Sequence, residues 1–205
     1  ISFSISDCDF INNVSTSSGG VLYHIITGTG TFEKNIQNSN FINNSCLGYN
    51  DGGSGYGSGG GALFFNNQMW FTGTPTINNC TFDGNTSNST GGAIHSSTVG
   101  TILTCNNSDF INNQADEGGA IWVLGRDGDA NISNCIFNSQ DASSGSAIHG
   151  ETNWSGVNLV INDNIFINNK NGPVLTANGI SSIKGSKNYF GNNEYYGTYT
   201  ENGTL

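Results

Sequence analysis

The chain has 205 residues and a formal net charge of −10, and only 10% of its residues are charged, against about 25% in ordinary globular domains. Its five basic residues (Lys34, Arg126, Lys170, Lys184 and Lys187) are scattered. Without clustered cations to displace counterions, nucleic acid is excluded as a partner, and anionic membranes and polyanionic glycans are disfavoured. No apolar run approaches the roughly 20 residues that cross a bilayer, so direct membrane insertion is not expected. The 30 glycines show no Gly-X-Y period, which excludes collagen.

The chain opens on ISFSISDCDFINN. Short pieces rich in Ile, Val, Phe and Thr read as strands, and the Asn and Gly between them as turns. Ile5, Cys8 and Phe10 make an inward-facing series whose period of two is broken once, at Asp7. The same text returns around Phe41, Phe82, Phe110, Phe137, Phe166 and Phe190, at intervals of 31, 41, 28, 27, 29 and 24 residues. The long interval holds a Gly-rich insertion, GYNDGGSGYGSGGG, residues 48–61.

Columns emerge when the Phe residues are aligned. Three residues after each stand Asn13, Asn44, Asn85, Asn113, Gln140, Asn169 and Asn193. Stacked coils predict an amide ladder along this column at a corner of the coil. Three residues before each of the first six stands an Asn or Asp, suited to a left-handed turn that resets strand parity. Downstream come GGVL at Gly19, GGAL at Gly60, GGAI at Gly91 and Gly118, GSAI at Gly145 and GPVL at Gly172. Paired glycines supply a bend in which a Cβ would clash.

One such unit cannot bury its own Ile and Phe, whereas a stack of units can. The predicted fold is all-β: a right-handed parallel β-helix, or solenoid, of about seven coils spaced about 4.8 Å apart. It forms a single domain over residues 1–205, with 48–61 as the loop insertion. A β-propeller would need blades of about 40–45 residues and fits worse. Because the chain opens inside the repeating text, it is expected to be a piece of a longer surface protein, monomeric as a fragment.

The pairing of F-x-x-N with GGA[ILV] resembles the chlamydial polymorphic outer membrane protein repeat. F-x-x-N holds in six of seven coils and fails at Gln140; GGA[ILV] holds strictly in three and loosely in three more. The Asn-, Ser- and Gly-rich composition also resembles the adhesin-like proteins of methanogenic archaea. The resemblance implies a secreted or cell-surface passenger that attaches to other cells.

Three places are candidates for function. The residue after each GGAI-type element is Tyr23, Phe64, His95, Trp122, His149 or Thr176. If Ile94 and its equivalents point inward, this column points outward, as a stripe of rings suited to a glycan or protein partner. The alternative is that the rings pack on one another or under a loop. The insertion and the segment after it offer Tyr49, Tyr56 and Trp70, either as an adaptable binding loop or as a loop that tucks Trp70 back onto the stack. GRDGDAN places Asp127, Asp129 and Asn131 at alternate positions, resembling the start of a calcium loop; the alternative is a polar turn. Calcium is the one ion these residues suggest, and no organic cofactor is expected.

The cysteines read as small buried hydrophobes, with Cys46 exposed at the edge of the insertion. Cys8, Cys80 and Cys135 share a column at two-coil spacing, about 9–10 Å by strand separation and beyond disulfide reach. No C-x-x-C points to cysteine-bound zinc. No His is placed in register with a Cys, and no paired carboxylates of the kind glycosidases use emerge from the alignment. The expected function is therefore an adhesin module rather than an enzyme. A purely structural stalk comes second, and a polysaccharide lyase or hydrolase third.

Overall fold

The structure is a computed structural model describing residues 2–26, 33–49, 58–67, 73–99, 102–126, 128–152, 157–179, 182–195 and 198–201. Among these, the regular structure is all strand, in three seven-stranded sheets and one three-stranded sheet. Every strand pair is parallel, and each strand pairs with its equivalents in the coils before and after. This is a parallel β-helix. No described helix is long and apolar enough to cross a membrane.

The fourth repeat shows how one coil is built. Leu103–Asn106 lies in the first sheet, Asp109–Ile111 in the second and Ile121–Arg126 in the fourth. Asn107, between the first two strands, has φ 50°; its equivalents Asp7, Asn38, Asn79, Asn134 and Asp163 have φ 49–56°. The predicted parity reset is therefore present. A second left-handed column, Asn12, Asn43, Gly84, Asn112, Ser139, Asn168 and Asn192 (φ 52–64°), follows the second sheet. Gly118 makes the last bend at φ +65°, where a Cβ would lie 2.4 Å from the Ile121 carbonyl oxygen. Its partner Gly119 meets the next coil, with the Ser146 oxygen 2.2 Å from its would-be Cβ. Both positions exclude a side chain.

The core runs along the axis. The rings of Phe10, Phe41, Phe82, Phe110, Phe137, Phe166 and Phe190 stack with centroids 4.8–5.1 Å apart and planes within 12°. Ile36, Ile77, Cys105, Ile132 and Ile161 from the first sheet, and Leu63, Ile94, Ile121 and Ile148 from the fourth, pack against them. The amide ladder is present. Asn44 Oδ1 accepts both the backbone N–H and the Nδ2 of Asn13, at 3.0 and 2.8 Å. The pattern repeats from Asn44 to Asn85 and from Asn85 to Asn113. Each Nδ2 also donates to the carbonyl of the preceding coil's Phe, as Asn113 does to Phe82 at 3.0 Å. Gln140 accepts like an asparagine. Its longer arm, however, sends Nε2 to the Phe110 and Asn138 carbonyls. The described link onward to Asn169 is its backbone N–H at 2.9 Å.

Lys34 is not on the surface. It sits in register with Phe3 and Pro75 in the first sheet and is fully buried. Its Nζ donates to the Gly73 carbonyl at 3.2 Å, and burial pushes its pKa down to about 8. All five cysteines are free thiols. Cys46, expected to be exposed, is buried with its S–H donated to the Ser17 carbonyl at 2.8 Å. Cys105 and Cys135, from adjacent coils and different columns, bring their sulfurs to 3.9 Å. A single-column comparison of Cys8, Cys80 and Cys135 does not detect that proximity.

Candidate functional site

The predicted ring stripe exists in the predicted register. Parallel pairing aligns Tyr23 with Phe64, Phe64 with His95, His95 with Trp122, Trp122 with His149 and His149 with Thr176. Alternation places this column on the face of the fourth sheet opposite Leu63, Ile94, Ile121 and Ile148. The stripe is nevertheless covered. Phe64, His95, Trp122 and His149 are 1%, 2%, 6% and 0% exposed, and only Tyr23, at 53%, stands in solvent.

The cause is local. The rings stack face to face, with centroids 5.2 Å apart for Tyr23–Phe64 and 4.4 Å for both Phe64–His95 and His95–Trp122. Both faces of Phe64 and of His95 are therefore occupied by neighbouring rings and unavailable to a sugar. Residues just before the Gly-Gly bends run beside the stripe as a ledge, with Gly59, Thr90, Glu117 and Ser144 bridged in parallel. Thr90 Oγ1 lies 2.7 Å from His95 Nδ1, and Ser144 Oγ lies 3.1 Å from His149 Nδ1. Burial pushes the His95 pKa down to about 3. An exposed ring platform is thus replaced by a sealed stack.

The other predicted sites fare differently. Tyr49 is 72% exposed. Tyr56, Trp70 and Asp127 lie outside the described residues. Gly48 and Ser58, at the two described ends of the insertion, lie close together: a Cβ on Gly48 would sit 2.9 Å from that of Ser58. Asp129 and Asn131 belong to the strand Gly128–Ser133, and Asp129 accepts a 2.7 Å hydrogen bond from Asn158 Nδ2 on the next coil. This stretch is extended, not looped, so these two residues do not form the turn of a calcium loop.

The sealed stack loosens at one step. Trp122 and His149 are 6.4 Å apart, the widest spacing in the column. Here Glu117, His149 and Glu151 bring a carboxylate oxygen, an imidazole nitrogen and a second carboxylate oxygen within 4.8 Å of one another. Glu117 comes from the ledge of one coil, while His149 and Glu151 are alternate residues on the strand Ile148–Glu151 of the next. His149 Nε2 lies 3.9 Å from Glu117 Oε2 and has no hydrogen-bond partner. Burial lowers the pKa of His149, partly opposed by the Glu117 charge. Burial raises the pKa of Glu151, and Glu117 adds to that rise. Asn178, in register with Glu151 one coil further on, has a buried Oδ1 that also lacks a partner.

Sequence alignment missed this cluster because Glu117 and Glu151 occupy different columns. One signal was present. His149, at the stripe position, and Glu151 share a strand face with a glycine between them.

Residues 7–24, 79–97 and 107–124 match the Chlamydia polymorphic membrane protein repeat. The chain carries that repeat at three sites. Each match runs from the left-handed Asp or Asn column, through the Phe and the ladder Asn, past the Gly-Gly bend to the ring column. The repeat implies an outer-membrane or surface-associated protein. No curated protein and no solved structure matches the chain.

Proposed function

We propose that the chain is a module of a surface-exposed adhesin, binding a glycan or protein receptor on another cell through a loop carried on a rigid stack. The observation that carries this reading is Tyr49, 72% exposed beside the point where the Gly-rich insertion leaves the coil. A rigid scaffold presenting a Tyr-, Gly- and Ser-rich loop is a common solution for recognition. The three matches to a membrane-protein repeat support surface display. The sealed ring stripe shifts the expected contact from Trp122 to Tyr49 and Tyr56 of the insertion and to Trp70 in the segment after it. The module binds rather than catalyses in this reading.

A structural stalk is the second reading. The amide ladder and stacked Phe column favour it, because they make a rod without needing a ligand.

Probing glycan arrays and cultured cells with the chain separates the two. Binding is expected, and Tyr49→Ala or removal of residues 50–57 should weaken it at least tenfold, while Trp122→Phe leaves it unchanged. Failure of the unaltered chain to bind any array or cell supports the stalk. Binding that survives both loop changes overturns the loop as the contact.

A further inference from the structure

We propose that Glu117, His149 and Glu151 form a binding site for a divalent first-row transition-metal ion, with zinc as the best-matched probe. The three donor atoms already lie within 4.8 Å of one another. Two of them are set by the scaffold. His149 and Glu151 project from one strand, held by parallel pairing to Ile121–Arg126 on one side and Leu175–Asn178 on the other. Glu117 reaches them from the ledge of the preceding coil, and its side chain is 42% exposed.

The imidazole is the telling group. His149 is 0% exposed, and its Nδ1 is engaged by Ser144 Oγ at 3.1 Å. A histidine held at one nitrogen by an outer partner presents the other nitrogen to a metal in many metal sites. Here that other nitrogen, Nε2, has no hydrogen-bond partner and faces Glu117 Oε2 at 3.9 Å, too far for a hydrogen bond. A buried polar atom without a partner is costly and calls for an explanation. Two carboxylates held this close also repel unless they share a proton or a cation. One ion between the three groups resolves both problems. Asn178 Oδ1, buried and unpartnered one rung beyond Glu151, is a nearby neutral oxygen.

The donor set selects the metal. Calcium takes oxygen ligands, whereas an imidazole suits zinc and its neighbours, which also accept carboxylates. Zinc binds nitrogen and oxygen at about 2.0–2.2 Å, which puts donor atoms roughly 3.0–3.5 Å apart. The observed 3.9 Å is slightly wider. Rotation of the partly exposed Glu117 arm would close that gap. The ion would then tie the ledge of one coil to the strand of the next, at the widest step of the ring stack.

The test is calorimetric titration of the full chain, stripped with a chelator, against zinc chloride. The expected result is one site of micromolar or tighter Kd, weakened at least tenfold by Glu117→Gln and by Glu151→Gln. Zinc should raise the Tm of the unaltered chain by several degrees and, at the same concentration, raise that of Glu151→Gln by clearly less. Cobalt substituted for zinc should show ligand-field bands without thiolate charge transfer, which separates this site from the five cysteines. Glu117→Gln alters a partly exposed side chain, so its fold can be checked by circular dichroism. The proposal is overturned by absence of zinc binding, by undiminished affinity in both glutamine variants, by a thiolate signature, or by tighter binding of calcium than of zinc.

Discussion

Two columns of stacked rings run along this molecule, one on each side of the coil wall. Inside, the Phe column repeats a single residue at 4.8–5.1 Å with planes within 12°. Outside, the Tyr23–Phe64–His95–Trp122–His149 column changes residue at every step, spans 4.4–6.4 Å, and tilts its rings by 14–25°. Both are largely buried. The difference lies in what surrounds them: the inner column is packed by aliphatic side chains, and the outer one is flanked by a polar ledge that hydrogen-bonds its imidazoles. A uniform column has one job in every coil. A varied column can do something different in each, and at Trp122–His149 it opens onto two carboxylates.

The comparison breaks hardest if the inner column proves dispensable. Phe110 lies mid-stack between Phe82 and Phe137 and is fully buried. Phe110→Ala should destabilise the chain by about 3–5 kcal/mol, read from urea denaturation. A loss below about 1 kcal/mol would mean that the stack relaxes around the gap.

The outer column should reveal itself through acid. His95 has a folded pKa of about 3, against about 6.5 unfolded. Both states are neutral above pH 6.5, so its contribution is intact there. Between pH 6.5 and 3 the unfolded state binds the extra proton, and stability falls by about 1.4 kcal/mol per pH unit from this residue alone. His95→Phe keeps a ring between Phe64 and Trp122 and removes that share. Urea midpoints for the two proteins at pH 7 and pH 5 should therefore diverge as the pH falls. Parallel pH profiles would show that His95 is not sealed.

The smallest effect belongs to the open end of the outer column. Tyr23 is half-exposed and stacks on Phe64 alone within the column. Tyr23→Ala should cost below about 1 kcal/mol in the same assay. A loss like that of Phe110→Ala would erase the distinction between sealed and open positions.

The fold was legible because each repeated column answers a steric demand of its own. Asn107 tolerates φ 50°, Gly118 has no room for a Cβ, and Asn113 carries both a donor and an acceptor for neighbours above and below. Such requirements recur once per coil and so appear as period. The register of the ring column was equally legible, since it follows from alternation after Gly-Gly.

Its burial was not. Alternation tells which side of a sheet a side chain leaves from, and not what lies beside it. The Thr90 and Ser144 ledge, and the neighbouring ring on each face, are properties of the stack. Lys34 illustrates the same limit: a lone charge in an otherwise apolar column looks like a surface residue until the coil closes around it.

The sequence by itself determined the coil, the corners, the ladder and the two ring columns, because each rests on a local conformational or hydrogen-bonding need repeated in every unit. The tertiary structure decided which rings meet water, that Cys105 approaches Cys135, and that Glu117 reaches His149 and Glu151. Those meetings join different columns of successive coils. Their distances depend on how the coils stack, and period alone does not specify them.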